Sequence, residues 1–188
     1  MTTYSVVLYV HLLSLVLAMA TASLVTYASL QIRAAATIPE IARWGGLIKR
    51  VVPAFPVAAI GLFGTGAYMT QHLWSWSTPW IYSAIAGLTI IVVLGDGIDA
   101  TRGRALEREL KASGLTDRAR RLQRDPLGWS AKLCTLTLTG AVMFVMTTKP
   151  GAAGSIASLV VAVLVGVAAA VPICRPERQP AAASEPAR

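Results

Sequence analysis

The sequence predicts an all-α protein: a polytopic helical membrane bundle of about five transmembrane helices, with its N-terminus outside and its C-terminus in the cytoplasm. Three observations carry this. Of the 188 residues, 55% are hydrophobic and only 14% charged, where a soluble domain averages roughly 25% charge. The charges sit in blocks, separated by uncharged runs of membrane length. Those blocks alternate between rich and poor in Lys and Arg along the chain.

No Lys, Arg, Asp or Glu precedes Arg33, and the run 4–32 exceeds the roughly 20 residues that cross about 30 Å of hydrocarbon. A signal peptide would carry a basic start and a shorter apolar core. This segment has neither and is expected to remain in the mature chain. Residues 51–95 are again uncharged, long enough for two spans once Trp74-Ser75-Trp76-Ser77-Thr78-Pro79-Trp80 divides them, because proline disfavours a continuous helix there. The second span is placed at 51–73 and the third at 79–100. Lys132 and Lys149 bracket a fourth at 129–148, and a fifth at 152–173 ends before Arg175-Pro176. Residues 101–128 form a basic connection that reads as a helical extension and then a short helix capped by Thr116. The tail 175–188, rich in Pro, Ala and charge, is expected to be disordered.

Orientation follows from the basic residues, because cytoplasmic segments carry the excess. Arg33, Arg43, Lys49 and Arg50 lie in the first connection and nine more in the third, whereas the second has none and the fourth only Lys149. The net charge of +8 is thus an orientation signal and a surface for anionic lipid at the cytoplasmic face; nucleic acid is not an expected partner. Tyr4, Tyr9, Tyr68, Trp74, Trp76, Trp80 and Tyr82 fall toward the outer interface, and Tyr27, Trp44 and Trp129 toward the inner one, as aromatic belts do.

Apolar faces do not attract one another in lipid, so small and hydrogen-bonding residues must mark the helix contacts. The expected inner faces are Ser14, Ala18 and Ala22 on the first span and Gly61, Thr65, Tyr68 and His72 on the second, with Gly64 close by. Thr135 and Thr139 mark the fourth, and Ala162, Gly166 and Ala169 the fifth. Such faces serve equally within one chain, toward a partner membrane protein or in a homo-oligomer.

Motifs of known chemistry are missing: there is no CxxC, HExxH, phosphate loop or Gly-x-Ser-x-Gly. Cys134 and Cys174 read as small apolar fillers on the reducing side. The chain reads as a non-catalytic accessory or assembly subunit. The alternative is metal or haem binding or transport. His11, inside the first span, and His72, at the outer end of the second, fall in the outer part of the bundle with Met69, Met143 and Met146. Imidazole and thioether suit Cu(I), and paired histidines suit haem; a ring inside a span usually faces the interior with a partner. Asp96 and Asp99, near the inner end of the third span, with Arg33 as partner, form a candidate interfacial ion pair.

Tyr9-Val10-His11-Leu12-Leu13, Gly64-Thr65-Gly66-Ala67-Tyr68, Trp74-Ser75-Trp76 and Trp80 carry a resemblance over roughly the first four spans. The pattern resembles a family of small bacterial integral membrane proteins of unknown function, distantly similar to copper-resistance D type membrane proteins. The resemblance implies a helical bundle in the bacterial cytoplasmic (inner) membrane and leaves the activity open.

Overall fold

The computed structural model describes residues 2–174, and the tail 175–188 lies outside them. The described residues form helices and no strand: α1 (Thr3–Ala34), α2 (Ile38–Val51), α3 (Ala54–Leu73), α4 (Pro79–Val92), a π-helical segment (Val93–Asp99), α5 (Ala100–Ser113), α6 (Asp117–Gln123), α7 (Pro126–Thr148) and α8 (Ala152–Cys174). Five helical stretches are long and apolar enough to cross a membrane: α1, α2 running into α3, α4 running through the π segment into α5, α6 running into α7, and α8. The chain is a multi-pass helical membrane protein. Its two ends differ in chemistry: Tyr4, Trp74, Trp76, Trp80 and Lys149 meet at one, the aromatic end, and the ion pairs that involve α2, α5 and α6 lie at the other, the basic end.

Local signals explain the boundaries. Thr37 and Glu40 close a capping box and Pro39 occupies the first turn, so the connection after α1 folds as a helix. This α2 is an element beyond the five expected spans. Its apolar side carries Ile41, which is buried, and Trp44, which meets Tyr27 of α1 edge to face at 5.7 Å. Pro53 marks the break between α2 and α3, where the missing N–H and fixed φ interrupt a helix. Thr116 caps α6 through the Ala119 N–H, as expected. Asp125 caps α7 through the Gly128 N–H at 2.8 Å, which starts that helix three residues before the expected 129.

Helices α1 and α3 pack as one pair with α2 against α1, and α7 packs against both α8 and α4. Consecutive helices α3 and α4 scarcely touch; α1 joins the two groups through α7 and α6. Close approach is set by small residues. A Cβ on Gly166 would lie 2.7 Å from the Cα and N of Cys134, and one on Gly87 would lie 2.6 Å from Val142 Cγ2. Thr137 Oγ1 donates to the Ala162 carbonyl at 2.7 Å, a bond between α7 and α8.

The expected inner faces hold on α7, where Thr135 and Thr139 are buried, and on α8 at Ala162 and Gly166. On α8 the stripe continues through Ala170 rather than Ala169, which is exposed. On α3 the expected face is rotated: Ala58, Leu62 and Thr70 are buried, whereas Gly64, Tyr68 and His72 are exposed. Gly61 and Thr65 of the expected face do meet α1, since a Cβ on Gly61 would collide with Ser14 and Thr65 bonds His11, while Gly64 faces open space.

At the basic end Asp99 pairs with Lys132 at 2.5 Å, not with Arg33, which has no acidic partner among the described residues and keeps its Nε buried without a hydrogen bond. A wider π turn displaces the register of every following residue relative to an α-helix. The segment Val93–Asp99 leaves Asp99 paired with α7 and Asp96 exposed. Thr101 Oγ1 bonds the Gly97 and Ile98 carbonyls at 2.5 and 2.8 Å, covering groups at the end of the π turn. Gln123 joins three elements, donating to the Ile32 carbonyl at 3.2 Å and accepting the Trp129 indole N–H at 2.9 Å. Lys49 and Lys111 both bond Glu107, at 2.7 and 2.9 Å, tying α2 to α5 beyond the apolar spans. These two ammonium groups hold the Glu107 carboxyl down at about 2. The carboxylate therefore stays ionised through ordinary pH, and its contribution fades only as pH falls from the usual carboxylate range toward that value.

Substituting Gly166→Ala forces a methyl against Cys134 backbone, which cannot yield as a flexible side chain would. Thermal unfolding in detergent is expected to show a loss of about 1–3 kcal/mol. Gly64→Ala, in open space, is expected to stay within about 0.5 kcal/mol.

Candidate functional site

The gap between α3 and α4 is a cavity of about 200 Å³ at the aromatic end. Helix α1 contributes Leu8, His11, Leu12 and Leu15, and α3 contributes Leu62, Phe63, Gly66, Met69 and Thr70. The α3–α4 turn and α4 add Trp74, Trp76, Trp80, Ile81, Ile85 and Leu88, and the end of α7 adds Met143, Met146, Thr147 and Lys149. No Asp, Glu or Cys lines it. The wall is apolar with a few polar groups, the usual composition of a small-molecule site. Packing explains its position: α1 binds α3 and α4 binds α7, and neither pairing brings α3 onto α4.

The polar groups are graded from rim to floor. Trp74, Trp76 and Lys149 are exposed, whereas His11 is only 7% exposed. His11 Nδ1 lies 2.8 Å from Thr65 Oγ1, and that hydroxyl donates its single hydrogen to the Gly61 carbonyl at 2.5 Å. The Thr65 oxygen is therefore the acceptor, and His11 carries a hydrogen on Nδ1. In the neutral ring this leaves the Nε2 lone pair for a ligand, since the bond at one nitrogen decides the role of the other. Holding the non-ligating N–H on an oxygen acceptor is also how proteins orient a metal-binding imidazole. Gly66 keeps the space beside the ring: its Cβ position lies 3.5 Å from His11 Cε1.

The structure brings His11, Met69, Met143 and Met146 to this one cavity, from α1, α3 and α7. It does not bring His72 there. His72 is exposed, its Nδ1 donates to the Tyr68 carbonyl of its own helix at 2.9 Å, and its ring stacks on Tyr68 at 4.2 Å. His72 is thus absent from the lining of the cavity that holds His11, and no contact pairs the two rings on one haem among the described residues. Among the described residues no group of three or more His, Cys, Asp and Glu is placed to hold a metal ion, which leaves imidazole with thioethers as the donor set that does converge. Asp96, Asp99 and Arg33 belong to the opposite end and contribute nothing to the cavity.

Three contributors were not singled out from sequence. Thr65 was read as a packing residue, although its hydroxyl fixes the His11 ring. The tryptophans, expected as a turn between spans and an interfacial belt, also line the cavity. Lys149 was read as a span boundary, although it ends α7 in the left-handed region at φ 49, ψ 52 and sets its ammonium 4.2 Å from the Trp74 ring centre.

The fold and the cavity define a multi-pass helical membrane protein with one buried, oriented histidine at the floor of an aromatic-rimmed pocket. Comparison with protein-family models, with curated proteins and with solved structures finds no match.

Replacing Thr65 with Val removes the acceptor of a buried N–H, which is expected to cost about 1–3 kcal/mol in thermal unfolding. Thr65→Ser, which keeps the hydroxyl, is expected to recover most of it. Equal losses in both variants would mean that methyl packing, not the hydrogen bond, is what matters there.

Proposed function

We propose that this protein is a binding or accessory subunit of a bacterial cytoplasmic membrane that holds a small ligand in the cavity at its outer end. The observation that carries the proposal is the buried His11, held by Thr65 with one ring nitrogen left for a ligand, in a pocket framed by two groups of helices that do not close on each other. In this reading the N-terminus and the tryptophan turn are outside, and α2, α5 and α6 lie in the cytoplasm against anionic lipid, as the distribution of basic residues favours.

Cu(I) is the second reading, favoured by the presence of Met69, Met143 and Met146 in the same cavity as His11. Thioether and imidazole are soft-to-borderline ligands that suit this ion. His11 and these methionines would hold it.

Two measurements test these readings. Anaerobic Cu(I) competition on purified protein is expected to show His11→Ala weakening binding by about tenfold or more, with His72→Ala close to the parent. Equal behaviour of the two variants removes the copper reading. For orientation, in a chain with Cys134 and Cys174 replaced by Ser, Ser75→Cys in intact cells is expected to react with a membrane-impermeant maleimide and Ala112→Cys only after lysis; the reverse pattern inverts the topology.

A further inference from the structure

Resting on the reading of the cavity as a ligand site, the charge and shape of its lining narrow what it takes. Lys149 is the one non-glycine residue among those described with a positive φ, a region where glycine or Asn is the ordinary occupant. It immediately precedes Pro150, and the residue before proline favours extended backbone instead. This unusual conformation holds the ammonium at the pocket rim, 4.2 Å from the centre of the Trp74 ring and 6.0 Å from that of Trp80. Trp74 and Trp80 cross edge to face at 5.5 Å, so the two rings form a cradle with the cation on it. Lys149 has no carboxylate within 4.0 Å among the described residues, and no carboxylate lines the cavity. The rim therefore presents an uncompensated positive charge. Behind the rim the lining is apolar, with Leu12, Leu62, Phe63 and Ile85 among the side chains that share the cavity with His11.

We propose that the cavity binds a single-chain anionic amphiphile, its carboxylate or phosphate head on Lys149 and its acyl chain in the apolar channel between α3 and α4. Each part of such a molecule meets its complement. The head gains a charge-assisted bond at the wet rim. The chain packs against an apolar wall. An uncharged chain of the same length gains only the second of these, and a free cation is opposed by Lys149 at the entrance. The selectivity of the site is accordingly for a negative head, and Lys149 is the residue that sets it.

The test uses the full chain in phosphatidylcholine nanodiscs and the quenching of its tryptophan fluorescence by three brominated probes: bromolaurate, bromolauryl phosphate and the neutral bromolauryl alcohol. Gly66→Leu, which fills the pocket beside His11, reports quenching by probe dissolved in the bilayer alone. The expected result is half-quenching by both anions at about tenfold lower concentration than by the alcohol, the factor that a hydrogen bond to a charged group supplies. Lys149→Gln is expected to abolish that difference and Lys149→Arg to retain it. A preference for only one anion identifies the head as carboxylate or phosphate within the proposal. If acids and alcohol quench alike, or if Lys149→Gln keeps the preference, the anionic assignment is overturned while the cavity remains a ligand site. If no probe quenches the parent more than it quenches Gly66→Leu, the ligand-site reading itself fails.

Discussion

In hydrocarbon a backbone amide or carbonyl without a partner costs several kcal/mol, and no water is present to supply one. Every part of this structure answers to that constraint. The spans are helices because a helix satisfies its own backbone. Their hydroxyls follow the same logic: Ser14, Thr21, Thr26, Ser29, Thr70, Ser83, Thr89, Thr135 and Thr139 each donate to the carbonyl four residues earlier. Such residues are polar in composition and silent toward their neighbours. Two threonines break the pattern. Thr137 reaches across to α8, and Thr65, while donating within α3, accepts from His11 of α1. Those two mark where one helix is tied to another by a directed bond.

Close packing and its local failure together make the site. Where glycine lets backbones approach, as at Gly166 against Cys134 and Gly87 against Val142, the helices seal. Pairing α1 with α3 and α4 with α7 spends the small-residue faces within each group. A wedge then stays open between α3 and α4, walled by Leu, Ile, Phe and Met. A buried imidazole in such a wedge is held by a hydroxyl rather than by a carboxylate, and the ammonium of Lys149 stands at the rim.

The basic end is organised by different rules, since water and headgroups are available there. Four of its acids are engaged individually: Glu107 by Lys49 and Lys111, Glu109 by Thr116 and Arg118, Asp125 by Arg102 and the start of α7, and Asp99 by Lys132. Exposed pairs of this kind are worth only about 0–1 kcal/mol each, so they orient α2, α5 and α6 more than they stabilise them. Lys132 and Asp99 are the exception in burial, at 11% and 25% exposure of their side chains. They join α7 to the π segment where the third span leaves the apolar layer.

The number of spans, the α6 cap at Thr116 and the buried face of α7 were legible because each rests on information local to a few residues: charge-free length, a capping hydroxyl, a periodic stripe. The α2 helix also had such a signal, Thr37 with Glu40 and Pro39, but it lay in a connection where only charges were counted. The face of α3, the partner of Asp99 and the exclusion of His72 from the cavity were not legible. A one-residue widening at 93–99 changes every later direction on that helix, and nothing in the composition of Gly95-Asp96-Gly97 announces it. Likewise His11, Met69, Met143 and Met146 could be assigned a common depth from sequence, but depth is one coordinate of three. The sequence by itself determined that the chain crosses a membrane in five helices, because hydrocarbon solvation acts on each segment separately. Only the tertiary structure decided that α3 and α4 stand apart, that Thr65 sets the His11 tautomer and that Lys149 sits on Trp74, because those depend on the azimuth of each helix about its axis, which its neighbours impose.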